Sequence, residues 1–267
     1  MTRILFNCDD FGKTAEVNAA VLQAHREGVL RSASLMVTGG ALDAAVDIAK
    51  ANPSLKVGLH LALSDATPVL PREQIPDLTD SDGRFFSDPA VMGMRMAFCW
   101  RTRAQAAMEI VAQFERFITT GLKPAHVDGH HHLHMHPFVF RECVQWSERL
   151  GFARIRVVRE AAGLLPPRRD GSLFAAKFVR HLTFLALAAG CERFLVSSRL
   201  EKLDGVLGLW ETGRMSEEYL LEAIPQLPPG DWEIYNHVGA EGAGEELKAM
   251  LSPSLKRLLE ERKIACL

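Results

Sequence analysis

Short apolar runs that read as strands recur along this chain with helical stretches between them, and that alternation narrows the fold more than any other feature. Residues 4–8, 34–37, 57–63, 125–128, 155–158 and 232–236 are the candidate strands, and residues 15–27, 42–50, 104–119, 139–150 and 216–224 are the candidate helices. Strands alternating with crossover helices pair in parallel, so the class is α/β. At 267 residues the chain can bury a large core and falls within the range of one barrel domain. No internal repeat, linker or shift of composition marks a second unit, so residues 1–267 read as one domain. Two stretches, at about 65–104 and 164–200, exceed what a minimal barrel needs and read as insertions.

The first strand runs straight into Asp9-Asp10-Phe11-Gly12. In a parallel sheet, ligands and catalytic groups collect at this C-terminal end of the strands. A single Asp there can cap the following helix. Adjacent carboxylates repel, however, and a pair is better explained by a cation, or by one group that ligates while the other takes a proton. In the stretch 57–63, Val57, Leu59, Leu61 and Leu63 share one face. Gly58, His60 and Ala62 share the other, leaving His60 as its single polar side chain with room beside it.

The stretch 126–137, His-Val-Asp-Gly-His-His-His-Leu-His-Met-His-Pro, holds six of the chain's ten histidines. His126, Asp128, His130, His132, His134 and His136 share one parity, so an extended chain would direct all of them to one side. Imidazole with carboxylate is the donor set of zinc and other borderline divalent ions. A solvated His-rich loop that takes up metal adventitiously is the plainer alternative.

Several motifs in register carry a family resemblance. They are Asp9-Asp10-Phe11-Gly12 with Asn18 in the next helix, the segment 28–37 (Gly-Val-Leu-Arg-Ser-Ala-Ser-Leu-Met-Val), Gly58-Leu59-His60, and the segment 124–134 that contains the His run. In order and spacing the chain resembles, from residue 3 to about 265, the YdjC-like carbohydrate deacetylases, which include chitooligosaccharide deacetylase. Pro68-Val69-Leu70-Pro71, Ile75-Pro76-Asp77-Leu78, Asp82-Gly83-Arg84-Phe85 and Leu227-Pro228-Pro229-Gly230 are most similar to its hopanoid-biosynthesis-associated branch. The resemblance implies an irregular, TIM-like (β/α) barrel of fewer than eight regular units. It further implies Asp10, His60 and His130 as ligands of one divalent ion, with Asp9 as general base and His237 as general acid for the leaving amine. The ligand list suits Zn, Mg, Mn, Co or Ni. The family's usual His-Pro pair is His237-Val238 here, which puts the geometry of that loop in doubt. Asn18, Asp128, His132, His134 and Arg156 are the expected substrate contacts. Asp128 alternatively fixes the tautomer of a ligating His, and Arg156 alternatively orients a carboxylate or lies on the surface.

The implied activity is hydrolysis of the N-acetyl group of an N-acetylglucosamine glycoside. Its substrate is a hopanoid glycolipid on the finer resemblance, a soluble chitooligosaccharide on the broader one. A metal-dependent hydrolase of another substrate class and a non-catalytic metal-binding protein remain open alternatives. A formal charge of −2 gives no reason to expect nucleic acid. The five cysteines are widely spaced and odd in number, which argues against a disulfide framework. Only Thr2 and Arg3 follow Met1 before the first strand, so no cleavable signal peptide and a cytoplasmic location are expected. The Met- and aromatic-rich stretches 91–103 and 173–195 are interrupted by cations and are too broken to span a bilayer. They read either as ordinary barrel helices or as a greasy rim that grips a lipid or rests peripherally on the inner membrane. A homodimer is left open.

Overall fold

Residues 4–11 are buried without a break, as expected of a strand flanked on both edges and covered on both faces. In the computed structural model, which describes residues 1–160 and 174–267, this segment is the hub of the sheet. The chain runs β1 (Thr2–Phe11), α1 (Ala15–Glu27), β2 (Ser32–Leu35), α2 (Leu42–Ala51), β3 (Lys56–Leu61), α3 (Pro89–Phe98) and α4 (Trp100–Thr119). It continues with β4 (His126–Gly129), α5 (Pro137–Leu150), β5 (Arg154–Ile155), α6 (Phe174–Leu195), β6 (Gly205–Leu207) and α7 (Glu217–Ala223). It ends with β7 (Gly230–Asn236), α8 (Gly244–Leu251), α9 (Pro253–Glu261) and β8 (Ala265–Cys266).

The main path of the sheet is β5-β4-β3-β2-β1-β7-β6, and β8 pairs with the start of β1. Every ladder is parallel. The ends of the path are joined by isolated parallel bridges, Glu160 to Val206 and Arg154 to Glu201, in place of a full ladder. This is the parallel α/β architecture of a TIM-like barrel, built on a seven-strand path and irregular at its seam.

Strand parity divides the side chains. Ile4, Phe6 and Cys8, Ala33 and Leu35, Val57, Leu59 and Leu61, Val127, Ile155 and Ile234 belong to the hydrophobic core. The other parity carries Asn7 and Asp9, Ser32 and Ser34, His60, His126 and Asp128, and Glu233, all buried. One face of the sheet is therefore greasy and the other almost wholly polar. Polar groups persist there because they are hydrogen-bonded to one another.

Several boundaries depart from the sequence expectation. The second strand covers Ser32–Leu35 and not 34–37, because the chain turns after Met36, whose O accepts the Gly39 N–H at 3.0 Å. The fifth ladder stops at Ile155, where the chain swings from β4 toward β6. The strand β6 has only three residues between Gly205 and Gly208, too short to show a period. In the first insertion, Glu109 of α4 accepts the N–H groups of Val69 at 2.8 Å and Leu70 at 2.9 Å, which fixes the Pro-rich loop. Of the second insertion, residues 164–173 lie outside the described residues, and much of the remainder is α6. Among the described residues no helix is long and apolar enough to cross a membrane.

Candidate metal centre and cleft

At the C-terminal end of β1 the chain turns at Asp10, whose φ of 64° is strained for a residue with a side chain. That turn aims its carboxylate at two imidazoles. Asp10 Oδ1 lies 3.3 Å from His60 Nε2 and 2.9 Å from His130 Nδ1, yet completes no hydrogen bond among the described residues. Ligand atoms about 3 Å apart are what metal–ligand bonds of about 2.1 Å produce at roughly right angles. His130 Nε2 is also buried without a partner among the described residues. His60 Nδ1 is held by Asp128 Oδ1 at 2.7 Å, the carboxylate–imidazole arrangement that orients a ligating histidine. The residues thus fit one divalent ion.

Electrostatics agree. Burial opposes charge on Asp10, but the His130 and His60 rings outweigh it and hold its pKa well below the ordinary carboxylate value. Burial likewise opposes a charged His60, but Asp128, Asp9 and Asp10 outweigh it and lift the ring to about 10. Asp9, Asp10, Asp128 and Glu233 place four carboxylates in one buried region against the Arg156 guanidinium and the half-exposed Lys13. A cation-seeking site is the result.

Arg156 organises the rest. Its Nη1 donates to Asp9 Oδ2 at 2.9 Å and its Nη2 to Asp9 Oδ1 at 2.7 Å, a two-pronged grip that fixes the carboxylate plane. Its Nε and Nη2 also reach Glu233 Oε1, and Nη2 lies 2.7 Å from Asp128 Oδ2. Asn7 Nδ2 donates to Asp9 Oδ1 at 2.9 Å and Ser34 Oγ to Asp128 Oδ2 at 2.7 Å. Asp9 nonetheless lines the open cleft beside Asp10, His60 and His130. The cleft measures about 860 Å³. Pro89, Ala90, Met94 and Ala97 of α3 form one wall, and Thr183, Phe184 and Leu187 of α6 form another.

The expected single row of imidazoles breaks at Gly129. From His130 to Met135 the chain makes a tight 3₁₀-type turn in which His131 and His132 take positive φ values of 51° and 56°. His130, His131, His132 and His136 therefore line the cleft, while His126 and His134 point into the protein. His126 lies across Gly58, where a Cβ would stand 2.4 Å from His126 O, so the space that glycine leaves belongs to His126 and not to His60. Burial pushes His126 down to about 3, leaving it neutral.

Four residues expected to touch substrate are placed elsewhere. Asn18 accepts Gly12 N–H at 2.8 Å and donates to Ala41 O at 2.9 Å, which ties the Asp-Asp-Phe-Gly turn to the loop before α2. Asp128 lies beneath His60, His134 Nε2 contacts Arg156 O at 3.1 Å, and Arg156 is saturated by carboxylates. Each is buried away from the cleft, Asn18 by its bonds to two loops and the other three by the hydrogen bonds of the sheet interior. His132 does face the cleft, with Nε2 3.1 Å from the Tyr235 hydroxyl and Nδ1 buried without a partner among the described residues. His237 also lines it. Val238 is fully buried where the family has Pro, and Glu246 accepts the His237 N–H at 2.5 Å, so the loop is pinned without a proline. Sequence reasoning overlooked Asn7, Ser34, Glu233, Tyr235 and Lys13. A polar residue at alternate positions of otherwise apolar strands was the signal for the first four.

The family model of YdjC-like proteins matches residues 3–261. The chain is 40% identical over 148 residues to a carbohydrate deacetylase of Brevibacillus brevis, covering 55% of this chain and 56% of that protein. It is 32% identical over 170 residues to a chitooligosaccharide deacetylase of Escherichia fergusonii, covering 60% and 62%. These matches span little more than half the length of each relative. In architecture it is similar to a crystal structure described as a putative cellobiose-phosphate cleavage protein from Enterococcus faecalis, with a TM-score of 0.74 at 22% identity, over 100% of this chain and 97% of that one. On the extent of the family match, the chain belongs to the YdjC-like family.

Proposed function

We propose that the protein is a metal-dependent deacetylase that removes the N-acetyl group from an N-acetylglucosamine glycoside, with a hopanoid glycolipid at the inner membrane surface as substrate. The observation that carries the reading is the placement of Asp9, fixed by Arg156, beside the Asp10, His60 and His130 cluster at the foot of an apolar-walled cleft. A divalent ion held by those three side chains would supply Lewis acidity toward the acetamide carbonyl and toward water. Asp9 is the general base. Both its oxygens are oriented, and it takes the proton of the attacking water. His237 gives a proton to the departing amine, and the pinned loop keeps its ring on the cleft wall. His132, lowered by burial and therefore neutral, lends its ring to the cleft wall that meets the sugar, while Tyr235 holds its Nε2.

The walls support the aglycone. Met94, Ala97, Phe184 and Leu187 would be idle against a wholly hydrophilic oligosaccharide, whereas a polycyclic lipid buried there gains roughly 25 cal/mol per Å² of apolar surface. The test compares kcat/KM for acetate release from an N-acetylglucosaminyl hopanoid and from diacetylchitobiose in one detergent, with zinc or magnesium supplied. Higher efficiency on the glycolipid is expected. Equal or better efficiency on the soluble sugar removes the lipid assignment, and no acetate from either removes the deacetylase reading.

A further inference from the structure

The two helices that wall the cleft also carry apolar side chains on their outer surfaces. On α3 and at the start of α4, Met94 is 59% exposed, Phe98 80% and Trp100 72%. On α6, Leu182, Ala186 and Ala189 follow one another at helical spacing, all exposed, with Val179 61% exposed beside them. The apolar residues of α6 are spread round the helix, a pattern that a one-sided packing role does not require. Large hydrophobics exposed on the helices that wall one opening mark a docking face.

Charge selects what docks. Residues 89–108 and 174–191 contain Arg95, Arg101, Arg103, Lys177 and Arg180 but no Asp or Glu, in a chain whose formal charge is −2. Lys177 is neutralised by Glu211, and Asp77 lies 3.6 Å from Arg101. Arg95, Arg103 and Arg180 have no ion pair among the described residues. A second copy is a poor occupant, because a two-fold contact would set this cationic face against itself. An anionic lipid surface satisfies both features, taking the apolar side chains between its headgroups while its phosphates meet the guanidinium groups.

We infer that this face, centred on Phe98, Trp100 and Leu182, docks the protein on an anionic membrane with the cleft mouth against the lipid. The inference deepens the glycolipid reading, since a docked cleft would receive a membrane-borne aglycone without its crossing water. The experiment floats the full chain with vesicles of phosphatidylcholine alone and of phosphatidylcholine mixed in equal parts with phosphatidylglycerol. Co-flotation with the mixed vesicles is expected, reduced by salt and by at least about tenfold in Phe98→Ser/Trp100→Ser/Leu182→Ser with an unchanged melting temperature. No co-flotation, equal binding to neutral vesicles, or undiminished binding by the folded variant overturns the inference. A dimer of the wild type that these substitutions dissociate also overturns it and assigns the face to a second copy. Vesicle binding needs no turnover, so flotation without acetate release from the glycolipid would keep the docking face and remove only the substrate reading.

Discussion

Arg156 lies against three buried carboxylates, and its removal should be costlier than the loss of an ordinary ion pair. In Arg156→Met, Asp9, Asp128 and Glu233 lose their shared cation, and breaking a buried pair in this way costs about 3–5 kcal/mol. Urea unfolding reads that loss directly; a change below about 1 kcal/mol would show that the carboxylates relax by taking up protons. Asp9→Asn is a milder change that keeps the shape and removes the proton acceptor. Bound metal should persist while acetate release falls by at least about 10², and near-normal turnover would assign the base to another group. The ligand register gives a third outcome, because His130 and His132 both line the cleft but only His130 contacts Asp10. Metal content measured on the purified variants should vanish in His130→Ala and survive in His132→Ala; the reverse would move the ligand by one step of the turn. Asp10, His60 and His130 were legible as a set because three motifs lay in register. Arg156 was legible as a group that could orient a carboxylate, but its three partners were not, because a lone arginine after a short strand says nothing about which strands lie opposite it.

At the scale of elements, helix α1 was legible to the residue, since Thr14 caps it and Gly28 ends it. The His-rich turn was not legible. Parity assumes an extended chain, and nothing in a run of histidines announces positive φ at His131 and His132. Another feature invisible in sequence is Glu160, whose two oxygens accept Gly208 N–H at 2.9 Å and Trp210 N–H at 3.0 Å and so hold the loop beside the cleft. Burial lifts this carboxyl from 4.5 to about 7. A group with a raised acidic pKa binds more protons folded than unfolded between the two values, so its contribution to stability declines as pH rises from 4.5 to about 7 and is constant above. Glu160→Gln is uncharged at every pH, so the margin by which the wild type out-melts it should narrow across that interval. Thermal melts of both proteins at matched pH decide it, and a margin that widens toward neutrality contradicts the assignment.

For the whole molecule, the strand and helix alternation was enough to give a parallel α/β sheet, whereas the order of strands and the closure of the path were not in the pattern. Strand β6 was too short to register, and without it the path has no partner for β7 on its outer edge. The polar interior was hidden for a related reason, since Asn7, Ser34 and Glu233 become one network only once β1, β2 and β7 are neighbours. The seam has a kinetic consequence. Where β1 and β7 share seven registered pairs, the junction of Glu160 with Val206 is a single bridge, made by Val206 N–H donating to Arg159 O at 2.8 Å. A ring opens where its fewest bonds must break, so the Val206 amide should take up deuterium through local opening, well before the amides of β1 that require global unfolding. Glu160, at that seam, also holds the loop whose Leu209 and Thr212 line the cleft, so a ligand filling the cleft should slow deuterium uptake at Val206 more than anywhere in β1.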